Sequence, residues 1–147
     1  MGLPFIWAVL VMAVVVLFDQ LSKATVRNSI VPGETRSVLP GLQLVNTRNQ
    51  GVAFGFLPGR HLAVSLLVGV ALLALVAYFA RHHGKPLIWL PTGMLLGGAF
   101  GNIVDRLRVG SVTDFVKLPL GWPPFNLADA SITLGVLLLL FVVERPE

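Results

Sequence analysis

Four apolar stretches, each long enough to form a helix across a bilayer, most constrain how this chain folds. A bilayer core of about 30 Å is crossed by about 20 helical residues. The four stretches lie at about residues 3–24, 61–79, 87–106 and 127–143. Within the third, four small residues predict close helix contact: Gly93, Gly97, Gly98 and Gly101. The sequence therefore predicts an all-α membrane protein, a bundle of four transmembrane helices in a single domain over residues 1–147.

The composition supports this prediction and excludes several functions. The chain is 55% hydrophobic and 12% charged, whereas about a quarter of the residues in a soluble domain are charged. The net charge of +4 includes no basic run, so we expect anionic lipid rather than nucleic acid as the partner. The absence of cysteine excludes disulfides, thiol catalysis and cysteine-bound metals. The first stretch has no basic leader or cleavage site, so we expect a retained span rather than a signal peptide.

The segments between the spans have a different pattern. Residues 28–60 contain three Pro-Gly pairs and short segments with partial two-residue alternation, which predict a small strand-containing element outside the membrane. Residues 107–125 are expected to form a loop. With four spans, both segments lie on one side of the membrane, and the termini and the turn at 81–86 lie on the other. Lysine and arginine counts do not decide which side is cytoplasmic, although the shortness of the turn at 81–86 weakly favours a cytoplasmic position for that turn.

All four aspartates of the chain are expected at the same end of the bundle. A helical rise of about 1.5 Å per residue places Asp19, Asp105 and Asp129 about 24–30 Å from the side of the termini. Asp114 follows Asp105 in a loop that can fold back over them. Because a buried carboxylate near the membrane is costly, such residues predict a functional site. Depth alone favours Asp105 and Asp129 as the working pair.

Some of the charged residues near this end also have a purely structural interpretation. Asp19 and Lys23 are spaced i,i+4, and an intrahelical ion pair is the expected role. Arg27 and Arg108 are expected to extend to the membrane interface.

Three further polar residues have less certain roles. Asp105 is disfavoured by the dipole at a helix C-terminus and therefore needs a partner. Asn102 and Asn126 each lie three residues before an aspartate. Each asparagine can orient that aspartate or form a hydrogen bond between helices.

Two carboxylates at one apolar-walled site can carry out hydrolysis. Such a pair shares a proton near neutral pH, so that one member activates water and the other protonates the leaving group or carbonyl oxygen. The sequence contains no metal-ligand spacing and no serine-nucleophile motif. Spacing alone leaves hydrolysis and proton or ion transport equally open, and a non-catalytic membrane scaffold is a third alternative.

Five short motifs match one known family in order and spacing. They are DQLSK (19–23), NQGVAF (49–54), GNIVDR (101–106), TDF (113–115) and FNLAD (125–129). Together they resemble the bacterial lipoprotein signal peptidases, also called signal peptidase II, over nearly the whole chain. One departure is Thr113, where the family commonly has valine.

The resemblance implies a membrane aspartyl endopeptidase of the bacterial inner (plasma) membrane, with both termini cytoplasmic. Such an enzyme removes the signal peptide from a prolipoprotein, cutting before a cysteine that carries a diacylglyceryl group. The resemblance also implies that residues 28–60 form a small β-cradle on the extracytoplasmic surface and that the active site lies near the extracytoplasmic face. Diacylglyceryl-prolipoproteins and membrane lipids are the expected partners, no cofactor or metal is expected, and we expect a monomer.

The matched motif positions imply a role for each polar residue. The catalytic pair matches Asp114 and Asp129. The residues that hold this pair match Asn102, Asp105, Arg106 and Asn126. The positions near substrate or inhibitor match Asp19, Lys23, Asn49 and Gly51. The family thus selects Asp114 over Asp105. A physical reason for this choice is that Asp105 lies next to Arg106 and is therefore expected to stay ionised, which makes it a poor proton shuttle.

Overall fold

The fold, taken from a computed structural model, combines four helices with a small sheet. The structure describes residues 2–50 and 61–144, with side chains in the second range described from residue 66 onward. In chain order its elements are α1 (Leu3–Ser29), β1 (Thr35–Leu39), β2 (Leu42–Asn49), α2 (His61–His82), α3 (Trp89–Val109), β3 (Val112–Lys117) and α4 (Leu127–Val143).

The helices form where the apolar stretches predict them, but their ends differ. Helix α1 continues to Ser29, past the predicted end near residue 24, because it carries polar residues that face the interior. Among the described helices, α1 is the one long and apolar enough to cross a membrane by length and composition. Helix α4 and residues 66–82 of α2 are apolar but shorter.

Helix α3 lies at the centre of the bundle, where its glycines allow close packing. A Cβ atom added at Gly97 would lie 2.7 Å from the Cβ of Val15 on α1. One added at Gly98 would lie 2.5 Å from the carbonyl oxygen of Ala128 on α4. Neither position has room for a side chain, so the backbones of three helices approach closely. The predicted close contact is confirmed at Gly93, Gly97, Gly98 and Gly101.

The helices place apolar side chains outward and several polar ones inward. Leu17 of α1, Leu73 of α2 and Leu137 of α4 are all more than half exposed. A soluble domain rarely exposes such continuous apolar surface, whereas lipid solvates it. Most of the fully buried side chains of larger volume are polar, among them Lys23 and Asn126.

The three strands form one antiparallel sheet in the order β1-β2-β3. The strand-containing element predicted within residues 28–60 is confirmed over Thr35–Asn49; residues 51–60 lie outside the described part. The prediction of a loop over 107–125 is wrong at Val112–Lys117, which forms β3 and pairs with β2. This strand is short and its first four residues are all buried, so it lacks the alternation that marks a half-exposed strand.

Two connections hold the sheet against the helix ends. Gly110 ends α3 with φ at 80°, a left-handed conformation that glycine adopts without strain, and the chain turns directly into β3. On the other side, the side-chain amide of Asn46 donates a hydrogen bond of 2.8 Å to the carbonyl oxygen of Ile30, just after α1. The sheet is thereby held across the ends of α1 and α3, by β2 and β3 respectively.

Candidate active site

The four aspartates converge at one end of the bundle, as predicted. They come from α1, α3, β3 and α4, and all four are at most 2% exposed: Asp19, Asp105, Asp114 and Asp129. Burial of so many carboxylates requires hydrogen bonds or cations for each one. The contacts of each carboxylate therefore define the site.

Asn126 connects Asp114 and Asp129 directly. It is the N-cap residue of α4, where its side chain accepts a 2.9 Å hydrogen bond from the backbone N–H of Asp129. Asp129 Oδ2 accepts in return from the backbone N–H of Asn126 at 3.3 Å, which completes a capping box. The amide Nδ2 of Asn126 donates to Asp114 Oδ1 at 2.7 Å. One residue therefore holds both carboxylates.

Asn102 on α3 holds the second oxygen of Asp129. Its Nδ2 donates to Asp129 Oδ1 at 3.0 Å. Its Oδ1 accepts from Lys23 Nζ at 3.0 Å and from Asn126 Nδ2 at 3.2 Å. Because both ends of the amide are engaged, its orientation is fixed.

Strand β3 and its neighbour β2 hold Asp114 from the opposite side. The hydroxyl of Thr47 donates to the backbone carbonyl of Asp114 at 2.7 Å, and the side chain of Asn49 hydrogen-bonds the Asp114 carboxylate. Burial, followed by the nearby charge of Asp129, raises the pKa of Asp114 to about 7, although the hydrogen bonds from Asn49 and Asn126 oppose this rise. Asp114 therefore gains and loses a proton near neutral pH.

Lys23 supplies a buried positive charge between two of the carboxylates. Its Nζ lies 2.7 Å from Asp19 Oδ2 and 3.7 Å from Asp105 Oδ2, and all three side chains are fully buried. The predicted intrahelical pair of Asp19 with Lys23 is thus confirmed. Asp19 Oδ1 also accepts from the backbone N–H of Ala128 at 2.9 Å. This pair consequently ties α1 to the first turn of α4.

The prediction that Arg27 extends to the membrane interface is wrong. Its Nη1 lies 3.4 Å from Asp105 Oδ1 and 3.0 Å from the hydroxyl of Thr113. A buried carboxylate needs positive charge nearby, and Asp105 receives it from Arg27 as well as from Lys23. Arg108, predicted in the same way, is exposed.

Arg106 and Gln20 complete the surroundings of Asp105. Arg106 is half-buried and interacts electrostatically with three carboxylates, those of Asp105, Asp114 and Asp129. The amide of Gln20 donates to Asp105 Oδ1 at 3.2 Å. Sequence reasoning did not select Gln20, although its place beside Asp19 in the DQLSK motif was a usable signal.

The structure does not test two of the predictions, the binding role of Gly51 and the absence of a metal. Gly51 lies outside the described residues. The described residues also contain no group of three or more His, Cys, Asp or Glu that could hold a metal ion. The metal-free chemistry of the site stays a prediction.

The chain is similar to known proteins in both sequence and structure. A family model described as signal peptidase (SPase) II matches residues 11–144. The lipoprotein signal peptidase of Syntrophomonas wolfei is 44% identical over 130 residues, which cover 88% of this chain and 87% of that protein. The one of Moorella thermoacetica is 40% identical over 147 residues, covering 98% and 95%. A bacterial membrane enzyme solved by the in meso method at 1.9 Å resolution superposes with a TM-score of 0.82 at 30% identity, covering 95% of this chain and 94% of that one.

Proposed function

The chain belongs to the signal peptidase II family, and we propose that Asp114 and Asp129 are its catalytic pair. The protein is a membrane protease that removes signal peptides from prolipoproteins, as the family does. The observation that carries the assignment is the double contact of Asn126, which donates to Asp114 at 2.7 Å through its side chain and to Asp129 at 3.3 Å through its backbone. Asp19 and Asp105 also share partners, Gln20 and Lys23, but there a buried ammonium group lies within 3.7 Å of both carboxylates, as in a structural ion pair.

The proposed reaction uses one proton shared by the two carboxylates. The ionised member accepts a proton from water, which attacks the peptide carbonyl, and the protonated member donates to the carbonyl oxygen. As the tetrahedral intermediate collapses, the carboxyl group that took the proton from water donates it to the leaving nitrogen and the C–N bond breaks. The other carboxylate takes a proton back from a hydroxyl of the intermediate, which restores the shared proton. The near-neutral pKa of Asp114 suits this exchange, because a general acid or base works best near the ambient pH.

The proposed mechanism predicts that activity falls in alkaline solution. The pair is active with one proton bound, and that proton is lost as the pH rises through the pKa of Asp114 at about 7. We expect kcat/KM to fall about tenfold per pH unit above this value. Initial rates from pH 5 to 9 measure the profile, and enzyme returned from pH 9 to pH 6 must recover full activity. A flat kcat/KM up to pH 9 contradicts a shared proton.

We assign supporting roles to the residues around the pair. Asn102 and Asn126 orient Asp129 and Asp114, because each amide contacts a carboxylate oxygen directly. Asp105 fixes β3 by accepting from the backbone N–H of Thr113 at 2.9 Å. The positive charge of Arg106 lowers the cost of holding several carboxylates together, Asp105 and the catalytic pair.

The residues matched to substrate binding differ in their surroundings. Asn49, only half-buried and bonded to Asp114, can contact a bound peptide beside the reacting bond. Asp19 and Lys23 are fully buried, which favours a structural role in the bundle over contact with substrate. Gly51 keeps the binding role implied by its motif.

We further propose that all four helices cross the membrane and that the active site lies near the extracytoplasmic face. The catalytic aspartates and the sheet lie at the C-terminal ends of α1 and α3 and at the N-terminal end of α4. The two termini lie at the opposite ends of α1 and α4. Four passes put both termini on one side, which we assign to the cytoplasm. We propose that the enzyme acts as a monomer in contact with membrane lipids, without a cofactor.

The proposed substrate is a prolipoprotein in which the cysteine that follows the cleavage site already carries a diacylglyceryl group. Purified enzyme in detergent micelles is expected to shorten such a precursor on a gel, with cleavage immediately before the lipidated cysteine. The same precursor without its lipid is the matched control and is expected to remain intact. Mass spectrometry of the product locates the cut. Equal cleavage of both precursors contradicts the requirement for the lipid.

A further inference from the structure

Thr113, the residue immediately before Asp114, is held through three of its polar atoms. Its backbone N–H donates to Asp105 Oδ2 on α3 at 2.9 Å. Its carbonyl oxygen accepts from Asn126 Nδ2 at the start of α4 at 3.3 Å. Its hydroxyl accepts from Arg27 Nη1 in the last turn of α1 at 3.0 Å. The side chain is fully buried, so three helices meet at this one residue.

Of the acceptors that contact Arg27 Nη1 in the described part of the chain, the hydroxyl of Thr113 is the closest. The same Nη1 atom lies 3.4 and 3.5 Å from the two oxygens of Asp105, distances at which hydrogen bonds are weak. The Arg27 side chain is only 19% exposed, so water can replace little of what the hydroxyl supplies. The hydroxyl therefore sets where the guanidinium lies.

We propose that Arg27 and Thr113 are a positioning pair that holds β3 so that Asp114 meets Asp129. Successive side chains of a strand point to opposite faces. The hydroxyl of Thr113 accordingly meets α1, whereas the Asp114 carboxylate meets Asn126. Thr113 therefore acts through the backbone of β3 and not on the substrate. The inference rests on the proposed function. It concerns position 113, where this chain has threonine and the signal peptidase II family commonly has valine.

Thr113→Val tests the pair, because valine matches the shape of threonine and lacks the hydroxyl. We expect kcat for prolipoprotein processing to fall about tenfold, as for loss of one hydrogen bond to a charged group, with KM changed less than about twofold. The loss is partial because Asp105 and Asn126 still hold the backbone of Thr113. Thr113→Ser keeps a hydroxyl and is expected to restore kcat to within about threefold of the wild type.

Thr92→Val is the matched control. Thr92 is a fully buried threonine near the start of α3, far along the helix from the aspartates, and its hydroxyl donates to the carbonyl oxygen of Ile88 at 2.8 Å. Its loss is expected to leave kcat unchanged. Equal losses for Thr113→Val and Thr113→Ser, or a Thr113→Val enzyme that melts earlier at unchanged kcat, overturn the inference.

A double-mutant cycle tests whether the two residues act together. Arg27→Met removes the guanidinium, and adding Thr113→Val is then expected to lower kcat no further. Losses that multiply overturn the pairing, and the comparison of valine with serine stands even where Arg27→Met does not fold. An inactive Asp114→Asn enzyme beside a fully active Thr113→Val enzyme refutes only the positioning pair. An active Asp114→Asn enzyme refutes the catalytic assignment itself, whatever Thr113 does.

Discussion

Replacing Asp114 or Asp129 with asparagine is expected to lower kcat for prolipoprotein processing by about 1,000-fold or more. Losses of this size follow removal of a group that transfers protons in the reaction. An amide can neither accept a proton from water nor deliver one to the carbonyl oxygen, although it fills the same space. The two single variants and the double variant are expected to lose similar activity, because the carboxylates act as one unit.

The matched control is Glu34→Gln, the same chemical change at an exposed carboxylate near β1. Glu34 contacts Arg36 and the backbone N–H of Val31 on the surface, and neither belongs to the aspartate cluster, so loss of its charge is expected to leave kcat unchanged. Gel mobility of a diacylglyceryl-modified precursor measures processing in each case. Wild-type rates for both Asp114→Asn and Asp129→Asn refute the catalytic assignment.

Stability measurements separate lost chemistry from lost folding. The pKa of Asp114 is raised in the folded state from 3.8 to about 7, so the folded protein binds this proton more tightly than the unfolded chain does. The resulting stabilisation is complete below about pH 4 and is lost as the pH rises to about 7, a change of up to about 4 kcal/mol. Asparagine cannot ionise. The melting temperature of Asp114→Asn is therefore expected to fall less between pH 5 and pH 8 than that of the wild type.

The sequence predicts the helices and the convergence of the aspartates for simple physical reasons. Long apolar runs favour one structure in a bilayer, and the constant helical rise gives the depth of Asp19, Asp105 and Asp129. The same arithmetic favours Asp105 as the partner of Asp129, because it treats only residues on helices. Asp114 lies on a strand, where helical rise says nothing about depth.

The sequence gives less information about the strand and about Arg27. Strand β3 is buried at both faces over its first four residues, so polarity does not alternate along it. For Arg27 the sequence does contain an indication of its position, but the general tendency of arginine to extend to the membrane interface outweighs it. Arg27 follows Lys23 by four residues, as Lys23 follows Asp19, and residues with this spacing share one helix face. That face points at the carboxylates, so an arginine expected at the interface instead contacts Asp105.

Lys23→Met is expected to destabilise the protein by about 3–5 kcal/mol, the cost of removing one partner from a buried ion pair. The ammonium group lies 2.7 Å from Asp19 and 3.7 Å from Asp105, and methionine leaves the charge of Asp19 without its nearest cation. The melting temperature in detergent measures the loss. Lys117→Met, at an exposed lysine on the end of β3, is the matched control and is expected to melt as the wild type does.

A second substitution distinguishes a structural role of Lys23 from contact with substrate. Asp19→Asn combined with Lys23→Met removes both charges together, so the double variant is expected to melt at a higher temperature than Lys23→Met alone. If Lys23 instead binds substrate, Lys23→Met keeps the wild-type melting temperature and raises KM, and the added Asp19→Asn restores nothing. Because the lysine is fully buried between carboxylates from two helices, we expect the first result. Together with Arg27 and Arg106, its charge compensates the four aspartates buried at one end of the bundle, of which only two take part in the reaction.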